Sequence, residues 1–202
     1  MNVAVLASGS GTNLQALLDT VHGRDGVHVV AVASDKPDAL ALQRAAEAGV
    51  PTQVFARADF GDRADRDKAM ADWLESLQAD LVVLAGYMQL VNAEFLARFR
   101  GAVINVHPAL LPAFPGLAAV QQGLDYGVKV FGVTVHFVDE GVDTGPVILQ
   151  RAIELPSAQD ASEVMAALQP IEHELLPEAV RLIARGVVGR DPDNPRRVII
   201  RP

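Results

Sequence analysis

The chain has no cysteine, no long apolar run and no excess of basic residues, and each absence removes a class of function. Without cysteine there are no disulfides, no thiolate metal sites and no cysteine nucleophile. Secreted proteins of this size often carry disulfides, so their absence favours a reducing compartment. No apolar stretch approaches the ~18 residues that a membrane-spanning helix needs. The opening Met1-Asn2-Val3-Ala4-Val5-Leu6 lacks the basic segment of a signal peptide, and Gly9 and Gly11 soon interrupt the apolar run. With 25 acidic against 17 basic residues the formal net charge is −8, which argues against a nucleic-acid or membrane-surface binder. Fixed-period repeats, low-complexity tracts and long linkers are missing too. The expectation is a soluble, cytoplasmic protein, a single domain over residues 1–202, with residues 186–202 forming a short tail or edge strand.

What is present is an alternation of short apolar runs and helical patterns. Half of the 202 residues are apolar, enough to bury a sizeable core. Residues 3–7, 28–34, 52–55, 81–85 and 103–106 are rich in Val, Ile and Leu, as strands buried on both faces should be. Helical patterns lie between them at 13–20, 39–48, 63–77 and 93–99. Repeated strand–helix–strand units predict an α/β, Rossmann-like fold, with a mostly parallel sheet between helices. Residues 130–138 and 146–155 are longer strand-like runs with no helix between them, and so are expected to pair antiparallel. A helical stretch follows at about 161–185, in which Pro170 and Pro177 are expected to produce a kink or a break. Residues 191–197 are turn-rich, and 198–200 read as a last short strand.

Three stretches carry chemistry. Gly9-Ser10-Gly11-Thr12-Asn13 stands between the first strand and first helix, where glycines let the backbone approach an anion and the helix offers N–H groups. A phosphate is its natural ligand. A dinucleotide fingerprint with Asp35 as the ribose-binding acid competes, although Leu14 stands where a small residue is wanted. A tight turn with no ligand is a third reading. In Asn105-Val106-His107-Pro108, strand alternation puts Asn105 and His107 on one face at a carboxyl end, where α/β sheets bind ligands. An Asn amide and a protonated His suit acyl transfer: both donate to a developing oxyanion, and His moves a proton. A buried Asn and His that only cap the sheet are the plain alternative. In Asp139-Glu140-Gly141-Val142-Asp143-Thr144-Gly145-Pro146, three acids are either solvated turn residues or a source of a carboxylate, Asp143, for His107. His22, His28, His136 and His173 show no metal-ligand spacing, so no metal is expected.

Together with Ala85-Gly86-Tyr87-Met88 and Gly132-Val133-Thr134-Val135-His136-Phe137-Val138, these stretches resemble the folate-dependent glycinamide ribonucleotide transformylases over residues 3–185. The resemblance implies 10-formyltetrahydrofolate as formyl donor and the glycine amine of 5-phosphoribosylglycinamide as acceptor, a step of purine synthesis. It implies Asn105, His107 and Asp143 as the catalytic set. Gly11, Thr12 and Asn13 would hold the ribose phosphate, and Glu172 would contact the glycinamide. Arg63, Met88, Gln89, Leu90, Val91, Asn105, Asp139, Glu140, Gly141, Val142 and Asp143 would form the folate side, largely through backbone groups. Partners would be these small molecules, with no nucleic acid or membrane, and the protein would be a monomer or homodimer. The chain departs from the family at Ala118, where His is common, and at Gln121 and Gln89, where basic residues are common.

Other functions compete. A formyl-folate hydrolase would use water in place of the amine, but such hydrolases usually carry an extra N-terminal domain and here the first strand begins at once. A transfer-RNA formyltransferase would carry an RNA-binding extension and a less acidic surface. A dinucleotide-dependent oxidoreductase or a sensor would use the glycine loop yet leave Asn105, His107 and Asp143 without a task.

Overall fold

Strand β1 (Asn2–Leu6) carries four successive side chains with no exposed surface, Val3, Ala4, Val5 and Leu6. Such a run is stable only between two other strands and beneath two layers of helices. The computed structural model describes residues 1–201 and places it so. β1 pairs in parallel with β2 (His28–Ser34) on one side and β4 (Leu81–Leu84) on the other, and β2 pairs in parallel with β3 (Thr52–Val54). The remaining strands of this sheet are β5 (Val103–His107), β6 (Val130–Phe137) and β7 (Val147–Glu154), and the strand order is β3-β2-β1-β4-β5-β6-β7. β6 and β7 are antiparallel, as their uninterrupted succession predicts. The observed class is the expected one: a mostly parallel sheet with helices around it.

The chain divides into two compact units, Met1–Ile104 and the part from Asn105 onward. The first unit adds α1 (Thr12–Thr20), α2 (Leu40–Glu47), α3 (Arg63–Ser76) and α4 (Ala93–Arg98). Its strand order reverses between β1 and β4, and ligands of open α/β sheets bind in the crevice beyond that reversal. The loops after those two strands line the crevice and are bonded to each other. Ser8 N–H donates to Gly86 O at 3.1 Å, and Met88 N–H donates to Ser8 Oγ at 2.8 Å.

The second unit contains α5 (Ala119–Tyr126) and the long α6 (Ala161–Ala184), which packs on β6, β7 and α5. Of the two outcomes expected at Pro170 and Pro177, a kink or a break, the break is corrected: α6 runs as one helix of 24 residues through both prolines. Each proline removes one N–H donor. Val164, Leu168, Leu175, Leu176, Ala179 and Val180 are buried along the helix, and that tertiary packing outweighs the lost bonds. α5 went unread because Gly123 weakens its pattern, yet a Cβ there would sit 3.1 Å from Phe131, so glycine lets α5 approach β6. The last short strand expected at 198–200 is present, and it has a partner that was not expected. β8 (Val188–Arg190) and β9 (Val198–Ile200) form a separate antiparallel pair.

The glycine loop is shaped by contact with α2. Gly11 has φ +69°, and a Cβ on it would lie 2.7 Å from Ala41 Cα. Ala41 N–H donates to Gly9 O at 3.1 Å, and Arg44 Nε donates to Ser10 O at 2.8 Å. Because trans peptides set C=O and N–H on opposite sides, the amides of Ser10 and Gly11 face away from α2. Gly11→Ala combines a left-handed backbone, about 1–2 kcal/mol, with overpacking of about 1–3 kcal/mol. The expected result is a thermal midpoint lower by roughly 5–15 °C, measured by scanning calorimetry. An unchanged midpoint would remove the packing argument.

Candidate active site

The second unit gathers Asn105, His107, His136 and Asp143 around one carboxylate. Asp143 Oδ1 lies 3.2 Å from Asn105 Nδ2 and 3.5 Å from His136 Nε2. Its Oδ2 accepts from Gly116 N–H at 2.8 Å and lies 3.4 Å from His107 Nδ1. The amide of Asn105 must present its NH₂ to this carboxylate, because its oxygen there would be repelled. Asn105 and His107 thus share one face of β5, as strand alternation requires, and His107 is only 5% exposed.

The chain arranges these groups by identifiable local devices. Thr134 lies on β6 two residues before His136, on the same face of an otherwise apolar strand. Its Oγ1 donates to Ala109 O at 2.6 Å and accepts from Leu111 N–H at 3.1 Å, which fixes the backbone just after His107. Gln150 adds bonds to Thr134 Oγ1 at 2.9 Å and to Leu111 O at 2.8 Å. The pairing of β6 with β7 shifts register between Val135 and His136, where Ile148 is the extra residue on β7. Asp143 itself has φ +52°, a left-handed conformation that Asp tolerates better than most residues.

The loop bearing Asp143 sorts its three acids into different tasks. Asp139 Oδ1 accepts from Gly141 N–H at 3.1 Å and from Thr144 Oγ1 at 2.6 Å, so it closes the turn. Glu140 is exposed. Asp143 alone turns toward the histidines. Burial acts most strongly on its carboxyl and pushes the pKa up, but the opposing influences combined prevail. The His136 hydrogen bond, the Gly116 N–H and the charge of both histidines hold it below its ordinary value of 3.8.

Both histidine rings are oriented by main-chain oxygens. His107 Nε2 is 2.9 Å from Phe114 O, and His136 Nδ1 is 2.8 Å from Phe137 O. A carbonyl only accepts, so each of these nitrogens carries a proton. On His107 both nitrogens then face acceptors, Phe114 O and Asp143, an arrangement that the doubly protonated ring satisfies in full. On His136 the remaining Nε2 either accepts from Asn105 Nδ2, 3.3 Å away, or donates to Asp143 once protonated. A protonated imidazole, a carboxamide NH₂ and a carboxylate within mutual reach can bind an oxyanion and relay a proton.

Comparison with known proteins assigns the chain to a family. The formyl transferase family, described as "Formyl transferase", matches residues 1–180. This chain belongs to the formyl transferase family. It is similar to the phosphoribosylglycinamide formyltransferase of Mycobacterium tuberculosis, at 42% identity over 201 residues, with 98% of this chain and 93% of the relative covered. It is also 42% identical over 194 residues to the trifunctional purine biosynthetic protein adenosine-3 of Drosophila melanogaster. That match covers 95% of this chain but spans only 14% of the relative's length. The crystal structure of glycinamide ribonucleotide transformylase 1 from Symbiobacterium toebii superposes with a TM-score of 0.94 at 45% identity, covering 99% of this chain and 93% of that one.

As a formyl transferase, the chain distributes its remaining expected residues between the two units. In the first, Gly11 caps α1 while Thr12 and Asn13 begin it, with Asn13 buried. Arg63 opens α3 and is exposed. Met88 and Leu90 are exposed, whereas Gln89 and Val91 are partly covered. Asp35 is not a free ribose acid: its two oxygens accept from Ser8 Oγ at 2.5 Å and Gln89 Nε2 at 3.1 Å. Leu14 is wholly buried, which also weighs against the dinucleotide reading. In the second unit, Glu172 is buried on α6, and Gly141 and Val142 are exposed in the Asp143 loop.

Sequence reasoning gives His136 no part in the site, naming it only within a family motif and among the histidines without metal-ligand spacing. Its signal was a polar residue alternating with valines in a buried strand, since such groups need buried partners. The parts played by Phe114 O and Gly116 N–H are main-chain contributions with no side-chain signature. Because the folded-state pKa of Asp143 is depressed, its stabilising contribution is complete above 3.8 and is lost as pH falls through the folded value. The thermal midpoint of Asp143→Asn should therefore lie below that of the unsubstituted protein at pH 7, and the gap should narrow as pH falls below 3.8. In His136→Phe, carboxyl NMR titration should show Asp143 moving to higher pKa. An unmoved Asp143 would mean that His136 is no partner.

Proposed function

We propose that this protein transfers a formyl group from 10-formyltetrahydrofolate to the glycine amine of 5-phosphoribosylglycinamide, a step of de novo purine synthesis. The reading is supported above all by the Asp143 carboxylate lying between His107 and Asn105, in a chain similar to enzymes named for that reaction. The co-substrate supplies an activated formyl carbon. The chain's own task is to hold the acceptor amine against it and to manage charge and protons.

His107 and Asn105 stabilise the oxyanion formed when the amine attacks, His107 through Nε2 and Asn105 through Nδ2. In this structure both donors are engaged within the chain, His107 by Phe114 O and Asn105 by Asp143 and His136. Residues 114–116 therefore withdraw as substrate enters, freeing His107 Nε2 and Asp143 Oδ2 together. Asp143 orients the His107 ring through Nδ1 and takes the proton that the attacking amine gives up. His107 supplies a proton to the departing folate nitrogen.

The other expected residues serve binding. Ser10 and Gly11 amides, directed away from α2, form an anion cradle for the ribose phosphate with Thr12 and Asn13, and Glu172 holds the glycinamide. Met88 and Leu90, 56% and 57% exposed, offer apolar surface that suits a flat ring, as does Val142 at 46%. Arg63, Gln89, Val91 and the backbone of 139–142 complete the folate side. The protein would act in the cytoplasm as a monomer or homodimer, without a metal.

An acceptor-dependence assay tests the whole reading. Purified protein should consume 10-formyltetrahydrofolate only when glycinamide ribonucleotide is present, and should form formylglycinamide ribonucleotide. Steady formate release without acceptor would replace the transferase with a hydrolase. His107→Ala and Asp143→Asn should each lower kcat by about 10²–10⁴ with an unchanged circular dichroism spectrum. Full activity in Asp143→Asn would remove its assigned role.

A further inference from the structure

Beyond α6 the chain builds a feature that the family match, ending at residue 180, does not include. The β8–β9 pair is closed by residues 191–197, and this turn is stiffened from within. Asp191 Oδ1 accepts from Asp193 N–H at 2.9 Å, and Asn194 Oδ1 accepts from Arg196 N–H at 3.1 Å. Asp191 N–H donates to Arg197 O at 2.9 Å, and Arg197 N–H donates to Asn194 O at 2.8 Å. Arg201 N–H donates to Val187 O at 2.9 Å, which ties the far end of the hairpin.

Two arginines of this hairpin reach the segment that carries Asp143, one at each end. Arg196 Nη2 donates to Thr144 O at 2.7 Å, on the residue directly after Asp143. The Arg190 guanidinium lies 5.0 Å from the centroid of the Phe137 ring, at the end of β6 where the loop departs. Between these points the loop holds Asp143 at φ +52°. A conformation of that kind persists only where its surroundings over-determine it. Inside the loop, Asp139 supplies part of that constraint. The hairpin supplies a second part from outside.

We infer that the β8–β9 hairpin is a brace for the Asp143 loop, with Arg196 the positioning residue that sets where the Asp143 carboxylate stands. Arg196 touches no reacting atom. Fixing the Thr144 carbonyl holds the peptide between Thr144 and Gly145, which anchors the chain directly after Asp143 and so keeps the carboxylate within reach of His107 and Asn105. The kinetic consequence rests on the proposed formyl transfer, whereas the structural consequence does not.

The experiment pairs Arg196→Ala and Arg196→Lys with Asp143→Asn, read by steady-state formyl transfer to glycinamide ribonucleotide and by backbone hydrogen exchange. A small displacement of a catalytic group costs up to ~10²-fold in rate. Arg196→Ala should lower kcat about tenfold with KM changed less than about twofold. Lysine, which still donates to the carbonyl, should restore kcat to within about threefold. The double variant with Asp143→Asn should be no slower than Asp143→Asn alone. Amides of residues 139–146 should exchange faster in Arg196→Ala while β1 and β4 keep their protection. Unchanged exchange at 139–146, an equal fall in the lysine variant, or additive losses with Asp143→Asn would each overturn the brace. If the unsubstituted protein shows no formyl transfer, the proposed function fails, and the exchange comparison alone decides on the brace.

Discussion

A half-buried carboxylate in a left-handed backbone is expensive on two counts, and the second unit is organised around keeping one. The backbone conformation costs of order 1–3 kcal/mol, and burial of the charge adds to it. The offset comes from Asn105, His107, His136 and the Gly116 amide, all directed at Asp143. The two histidines and the Gly116 amide together outweigh burial, since the carboxyl sits below its ordinary value. The loop's other residues follow from the same requirement. A Cβ on Gly145 would lie 1.6 Å from Phe137 O, and one on Gly141 would lie 2.0 Å from Thr144 Oγ1. Neither position admits a side chain if the turn is to aim Asp143 inward.

The polar groups on buried strands obey a stricter rule than the apolar ones around them. Thr134, buried completely, makes bonds to Ala109, Leu111 and Gln150, and each of them holds the segment that follows His107. A network of this kind is stabilising only when its members are satisfied together. That requirement makes the geometry near His107 rigid on the strand side. On the other side His107 meets Phe114 O, and residues 112 and 113 are exposed with residues 117 and 118. The site is thus held on the strand side by side-chain bonds and on the other side by the main chain of residues 114 and 116.

The fold was legible in the sequence because apolar period and burial agree there. The runs at 28–34 and 81–85 became strands within a residue, since strands buried on both faces must be continuously apolar, and 52–55 did so although β3 is an edge strand with Thr52 and Gln53 exposed. Asn105 and His107 were legible from alternation, and Asp143 from the glycines that flank it. Glycine hid α5, and proline suggested a break in α6 that packing overrode. The register shift opposite His136 and the bonds from Phe114 and Gly116 were out of reach, because they are set by register and main-chain direction across tertiary distance. The β8–β9 hairpin was half seen: Val198–Ile200 is apolar and β-branched, whereas Val188–Arg190 contains a glycine and gives too little pattern.

Gln89 shows why a departure from a family's habit need not touch the chemistry. Family members commonly place a basic residue there, yet here the position lies between two opposite charges. Gln89 Nε2 donates to Asp35 Oδ2 at 3.1 Å, and its Oε1 accepts from Arg66 Nη1 at 3.4 Å. A lysine or arginine could serve the first bond but has no acceptor for the second. Arg66 is only 2% exposed, paired with Asp67 at 2.6 Å, and it also donates to Leu90 O at 3.1 Å. Asp67 in turn accepts from Asn92 N–H at 2.8 Å. The segment 88–92 is therefore held from below by a buried ion pair, and an amide is the side chain that connects this pair to Asp35 and Ser8. Placing a second cation beside Arg66 would set like charges together in a poorly solvated place. The departure at 89 and the buried arginine at 66 belong to one solution for fixing the same loop.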